Sequence, residues 1–371
     1  MVKKAANPWL RTLVRAGKQQ QRTVSRALTA LLAPKPKPKP KLKAKPKPKP
    51  KPRPAPRSAA TAPAAATPRS APATGKWLAS HYAALAGNGS GPMRRMPYWL
   101  YVPDGATAPY PLVVMLHGCD QSATQFAEGT RMNQAAQQRG CAVLYPQQSV
   151  SAHPHRCWKW YERATQQGGG DVSVIVGLVQ KVMAQYPIDP SRVYIAGISA
   201  GAGMAHIVAL NHPALFAAMG LHSGPMFGAG HSQVGALGVM KHGASHRVDS
   251  AIDEVLARHA AFPSMPAMLI QGADDDIVRP VNQTQLARQA LLLNRLQGAA
   301  ASVTIRPATR RTRAHRIDDV RVGRKVVLRV AQIAGLRHAW SGGDERLAYN
   351  AAGGPDASRM LLDFFSVQRR I

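Results

Sequence analysis

The pentapeptide Gly197-Ile198-Ser199-Ala200-Gly201 stands between the apolar run Arg192–Ala196 and the helix-like segment Gly203–Leu210. A strand, a serine flanked by glycines and a helix make a sharp turn that displays the hydroxyl at the carboxyl edge of a sheet. The glycines are required because the serine takes a strained backbone conformation there and side chains on either flank would meet the neighbouring strand and helix. The five residues alone carry little weight; the strand before them and the helix after them carry most of it. A serine hydroxyl is a poor nucleophile near neutral pH, so it needs a histidine to take its proton and a carboxylate to orient that imidazole. In this architecture the acid and the histidine follow the serine along the chain. The strand-like Ala267–Ile270 runs into Gln271-Gly272-Ala273-Asp274-Asp275-Asp276-Ile277-Val278, three carboxylates just past a strand end, and the residues alone leave open which is the acid. His338 lies on a loop rich in small residues, Gly335–Gly343, and is the best-placed base. His206, inside the helix after the serine, and His222, at a strand end, read as structural, and His315 sits in a strongly basic segment that disfavours an imidazolium. Two backbone amides at strand ends, those of Cys119 in His117-Gly118-Cys119 and of Ala200, are placed to donate to an oxyanion. Trp158, Trp160 and Tyr161 are candidates to line an acyl groove, with core packing as their ordinary alternative.

These groups must be held by a sheet. Met96–Val102, Leu112–Leu116, Ala142–Tyr145, Val193–Ala196, Ala217–Leu221 and Ala267–Ile270 read as strands, and Asp171 as the cap of a helix running to Tyr186. Strands alternating with helices imply a mostly parallel sheet with helices on both faces, an α/β class domain. Pro225–Phe262, rich in Gly, Ala and His, reads as an excursion over the active edge. Asp319–Val322 and Val326–Val330 flank a turn and form a hairpin, and a helix from Pro355 to about Gln368 closes the domain.

The 49 Lys and Arg against 18 Asp and Glu are unevenly spread: 20 of the basic residues precede Trp77 and the first acid is Asp104. Residues 1–33 read as a basic amphipathic helix, residues 34–76 as a disordered linker that is first Lys-Pro and then Ala/Pro-rich, and residues 77–371 as the catalytic domain. Alternating proline removes every second amide hydrogen, and the lysines repel, so the linker is a stiff cationic spacer. Residues 1–56 suit an anionic surface or granule, and non-specific contact with nucleic acid phosphates is equally compatible with their charge. No signal peptide or transmembrane segment is visible, so the cytoplasm, with possible granule association, is the expected location and an extracellular one the alternative. Three cysteines match no zinc pattern, and the chemistry above needs no metal or organic cofactor.

Leu116-His117-Gly118-Cys119-Asp120-Gln121, Tyr145-Pro146-Gln147-Gln148, Cys157-Trp158-Lys159-Trp160, the serine pentapeptide, the Gly272–Asn282 segment and His338-Ala339-Trp340 stand in one order. Together they resemble the poly(3-hydroxybutyrate) depolymerase family of esterases, relatives of the feruloyl and acetylxylan esterases, over about Met93 to Phe365. The resemblance implies an α/β-hydrolase fold with Ser199 as nucleophile, His338 as base, and Cys119 with Ala200 as oxyanion donors. Laid on Gly272 and Val278, the family's acid motif selects Asp275, with Asp274 as runner-up. It also implies a disulfide between Cys119 and Cys157, which conflicts with a reducing compartment. The implied activity is hydrolysis of polyhydroxybutyrate or short 3-hydroxyacid ester oligomers through an acyl-enzyme. A feruloyl or acetylxylan carboxylesterase is the alternative substrate reading, and a non-catalytic polyanion- or granule-binding protein is the alternative of another class.

Overall fold

The computed structural model describes residues 73–85, 93–259 and 261–370. The expected helix over 1–33, and the expected linker over 34–76 apart from its last four residues, lie outside the described residues. Those four belong to the folded domain instead: Ala73 packs against the core, the Tyr101 hydroxyl donates to the Thr74 carbonyl, and the first strand opens at Lys76.

Ten strands form one sheet: β1 (Lys76–Leu85), β2 (Met93–Val102), β3 (Tyr110–Leu116), β4 (Ala142–Pro146), β5 (Ile188–Ile198), β6 (Ala218–His222), β7 (Ala267–Gly272), β8 (Ala301–Arg306), β9 (His315–Val322) and β10 (Lys325–Ile333). Their order is β1-β2-β4-β3-β5-β6-β7-β10-β9-β8. The six strands from β4 to β10 in that order run parallel, and antiparallel pairs close both ends. A further short parallel pair joins β11 (Trp340–Ser341) to β12 (Asn350–Ala351).

The apolar runs explain the centre. Leu112–Leu116 have no exposed surface, and alternate residues serve opposite cores: Leu112, Val114 and Leu116 face one, Val113 and Met115 the other. Helices α3 (Asp171–Gln185), α4 (Ala200–Asn211), α6 (Val248–Arg258) and α7 (Val281–Leu293) cover the first face. The second is covered by α1 (Ala123–Thr130), α2 (Met132–Arg139) and α8 (Ala357–Ser366). The segment expected as an excursion holds α5 (Gln233–His242) and α6. Asp171 is not the cap of α3: Gly170 holds that position, and the Asp171 carboxylate accepts from Gln148 Nε2 at 2.6 Å and pairs with Arg94 at 2.8 Å.

Register brings the strand ends to one rim. Leu116 lies beside Gly197, Ile198 beside His222, and His222 beside Ile270. The loops leaving β3, β5, β6 and β7 therefore open together, at the carboxyl edge where an α/β sheet places its chemistry.

Candidate active site

Ser199 has φ +56° and ψ −124°, a left-handed conformation that costs a non-glycine residue free energy and persists only where its surroundings enforce it. A Cβ on Gly197 would lie 2.5 Å from the Gly201 carbonyl carbon and 2.6 Å from the Leu116 oxygen, and one on Gly201 would overlap the Leu116 and His117 oxygens. The two glycines thus let the turn nest against the end of β3. On its other side the Ser199 amide donates to the His222 carbonyl at 3.0 Å, so the turn is clamped between β3 and β6.

Past β7 the three carboxylates separate. The Asp275 side chain is fully buried, and its Oδ2 accepts from His338 Nδ1 at 2.8 Å and from Gln271 Nε2 at 2.9 Å. Its Oδ1 accepts from the Ile277 and Val278 amides at 3.0 and 2.9 Å. Burial pushes this carboxyl up, but the bond to His338, the nearby imidazole charge and the two amides outweigh it and hold the group below the usual carboxylate range. An ionised carboxylate only accepts, so Nδ1 of His338 carries the hydrogen and Nε2 is left as the acceptor. Asp274 is exposed, and Asp276 is exposed and paired with Arg337 at 3.0 Å.

No hydrogen bond joins Ser199 to His338 among the described residues; the two meet at a shared anchor, His222. Its carbonyl holds the Ser199 amide, its ring stacks on Trp340 with centroids 5.0 Å apart, and its Nε2 accepts from the Ser341 amide at 3.4 Å. Trp340 follows His338 by two residues, so one buried residue, His222, holds the serine turn through its carbonyl and the His338 loop through its ring. Burial, reinforced by His338, lowers His222 to about 3 and keeps it neutral.

The loop after β3 is braced on every side. The Gly118 amide donates to Gln121 Oε1 at 2.8 Å, the Asp120 amide to the His155 carbonyl at 2.6 Å, and Cys119 is bonded to Cys157 with Cα atoms 4.3 Å apart. His117 is fully buried, and burial lowers it to about 4. The Gln148 amide, which can only donate, points at Nε2 at 3.1 Å, so the proton sits on Nδ1 and is given to the Gly118 carbonyl at 2.7 Å. With Leu116 in register with Gly197, the amides of Cys119 and Ala200 leave neighbouring strand ends.

The three aromatic candidates for an acyl groove are buried. Trp158 has no exposed surface and donates its indole hydrogen to the His117 carbonyl at 3.0 Å, while Trp160 and Tyr161 are buried in the same core. Trp158 supports the His117 loop, its ring lying 5.5 Å from the His117 imidazole. Among the described residues no group of three His, Cys, Asp or Glu side chains stands close enough to hold a metal ion, and no helix is long and apolar enough to cross a membrane.

A family model described as esterase PHB depolymerase matches residues 96–315. The chain belongs to the PHB depolymerase family of esterases. Within it, the chain is 31% identical over 192 residues to poly(3-hydroxyalkanoate) depolymerase C of Paucimonas lemoignei, 51% of this chain and 46% of that one. It is 35% identical over 146 residues to a probable acetylxylan esterase A of Neosartorya fischeri, 39% of each chain. The chain spans less than half the length of these curated relatives. The acetyl xylan esterase from Aspergillus awamori superposes with a TM-score of 0.59 at 18% identity, covering 78% of this chain and 99% of that one, which shows a shared α/β-hydrolase fold.

Two residues of this depolymerase-family site have roles that the sequence does not reveal. Gln271 reaches Asp275 from the end of β7, and nothing in an apolar strand announces a glutamine aimed at a carboxylate. His222 was visible only as a strand-end histidine; its role as an anchor depends on β6 lying between β5 and β7, a matter of sheet order.

Proposed function

We propose that the chain is a serine carboxylesterase that hydrolyses polyhydroxybutyrate or its short 3-hydroxyacid ester oligomers through an acyl-enzyme. The observation that carries this reading is the buried Asp275–His338 pair, anchored through His222 to a strained, glycine-flanked serine. In this scheme His338 Nε2 takes the Ser199 proton as Oγ attacks the ester carbonyl, and the imidazolium is supported by the ionised Asp275. The tetrahedral oxygen accepts from the Cys119 and Ala200 amides. Collapse expels the alcohol with a proton from His338, and the same histidine then activates water to release the acid and restore Ser199. No step calls on a metal or organic cofactor.

Acetylxylan relatives at similar identity favour a second reading with the same chemistry and a different acyl group. A non-catalytic polyanion- or granule-binding protein leaves the buried Asp275–His338 pair without a purpose. The Cys119–Cys157 bridge supports the extracellular alternative over the cytoplasmic one, since thiols are kept reduced in the cytoplasm. Granule attachment through residues 1–56 remains a proposal from charge alone. Parallel rates on native polyhydroxybutyrate granules, soluble 3-hydroxybutyrate oligomers, acetylated xylan and feruloylated sugar test the reading. Fastest turnover of a 3-hydroxyacid ester supports it; turnover confined to acetyl or feruloyl sugars replaces it with the second reading.

A further inference from the structure

Between Arg306 and Lys325 the chain carries eight basic residues and two acids, on a pair of strands at the end of the sheet. The acids are already engaged: Asp318 pairs with Arg316, and Asp319 with Arg329 and Arg321. Arg306, Arg310 and Arg311 are exposed and take part in no ion pair among the described residues. The uncompensated charge is therefore concentrated where β8 turns into β9.

That turn is on the same rim as the chemistry. Arg306 pairs in register with His315, and His315 with Ile333, the last residue of β10 and five residues before His338. The turn is also built rather than loose. The Thr309 amide donates to the Thr312 carbonyl at 2.8 Å, and Thr309 Oγ1 accepts from the Arg311 and Thr312 amides at 3.2 and 3.1 Å, which puts Arg310 and Arg311 at the tip. Thr312 bridges to Gly354, the Arg313 amide donates to the Gly354 carbonyl at 2.7 Å, and the Arg313 guanidinium donates to the Ala352 and Gly353 carbonyls. Those glycines continue β12, which pairs with β11, the strand that begins two residues after His338. Two arginines are thus fixed to the substructure that carries the base.

We infer that the Arg310–Arg311 turn, with Arg306, is an anion-recognition element that receives a carboxylate borne by the ester substrate. The inference rests on the esterase reading above and narrows its substrate class to anionic esters. Guanidinium forks match carboxylates with two parallel hydrogen bonds. Val303 and Ile305, 50% and 73% exposed, lie on the opposite face of β8 from Arg306 and further from the rim, so the charged turn is the feature that faces the chemistry. A linear hydroxyacid oligomer ends in such a carboxylate, on the same chain as the ester to be cleaved. A nucleic acid would use the charge but not the attachment to the loop of His338.

The test compares a linear 3-hydroxybutyrate oligomer bearing its free carboxylate with the methyl ester of the same oligomer. At low salt the wild-type protein is expected to cleave the acid about tenfold faster in kcat/KM, and the preference is expected to shrink as salt rises. R310Q/R311Q is expected to lose the preference through KM while its rate on the methyl ester stays at the wild-type value, which also reports that it is folded. Equal wild-type rates on the two oligomers, or an equal loss on both in the variant, overturn the inference while leaving the esterase reading in place. Equal rates together with duplex DNA binding that the variant loses would assign the turn to a polyanion instead. Failure to cleave either oligomer removes the substrate reading and this inference with it.

Discussion

Asp275 differs from Asp274 and Asp276 in what its oxygens accept. Four donors converge on it: two are backbone amides, one an amide side chain and one the imidazole. The residues by themselves showed three carboxylates past a strand end, and only the family's spacing singled out the middle one. Its neighbours face water, so the choice depends on the turn's geometry and not on residue type. Asp275→Asn keeps the shape but offers an NH2 group to Nδ1–H and forces the wrong tautomer. It is expected to lower kcat on the order of 10³–10⁴-fold, and to lower the melting temperature as well, because Gln271 Nε2 loses the same buried acceptor. Asp276→Asn loses only an exposed pair and is expected to stay within about twofold of wild type. Steady-state kinetics on a soluble ester with thermal melts distinguishes the two.

At the scale of elements, the strands that were legible are those buried on both faces, because unbroken apolar runs such as Leu112–Leu116 have few other ways to fold. Both edges were missed. β1 and β8 are largely exposed, and β8 is so along its whole length, so no hydrophobic alternation marks them. The His117–Gln121 loop shows how such elements become precise: a disulfide, a buried neutral histidine and an indole fix a segment without regular structure. The bridge closes a separation of 38 residues, and its loss is expected to cost about 3–4 kcal/mol of stability. Because the proposed oxyanion amide of Cys119 lies in this loop, reduction is also expected to lower kcat by up to about 10²-fold with KM nearly constant. Thiol titration of the denatured protein provides the direct check. One free thiol, Cys141, is expected before reduction and three after it; three beforehand would remove the brace.

Across the whole molecule, three imidazoles are buried in neutral form. Burial lowers His117 to about 4 and both His206 and His222 to about 3. Neither nitrogen of His206 has a hydrogen-bond partner among the described residues, whereas the other two are bonded. The unfolded chain binds protons on these groups near pH 6.5 and the folded one only near 3–4, so stability falls as pH drops through that interval. Each group adds up to about 1.4 kcal/mol per pH unit to the slope. Calorimetry from pH 7 to 4 should therefore show a steep loss of stability, and His206→Leu should remove about a third of it. An unchanged slope in that variant would mean that His206 titrates normally. The charge of the molecule divides in the same spirit: the sequence showed a basic tail at once, while the basic turn at Arg310–Arg311 gained meaning only when the fold carried it to the catalytic rim.

The account stands on Ser199 being the nucleophile that the Asp275–His338 pair serves. Treatment with a fluorophosphonate, followed by peptide mass mapping, measures this directly. One phosphonyl group per chain on Ser199, with loss of ester hydrolysis in proportion to labelling and slow labelling in His338→Ala, is the predicted result. Full hydrolytic activity with Ser199 unmodified, or stoichiometric label on another residue accompanied by inactivation, would contradict it.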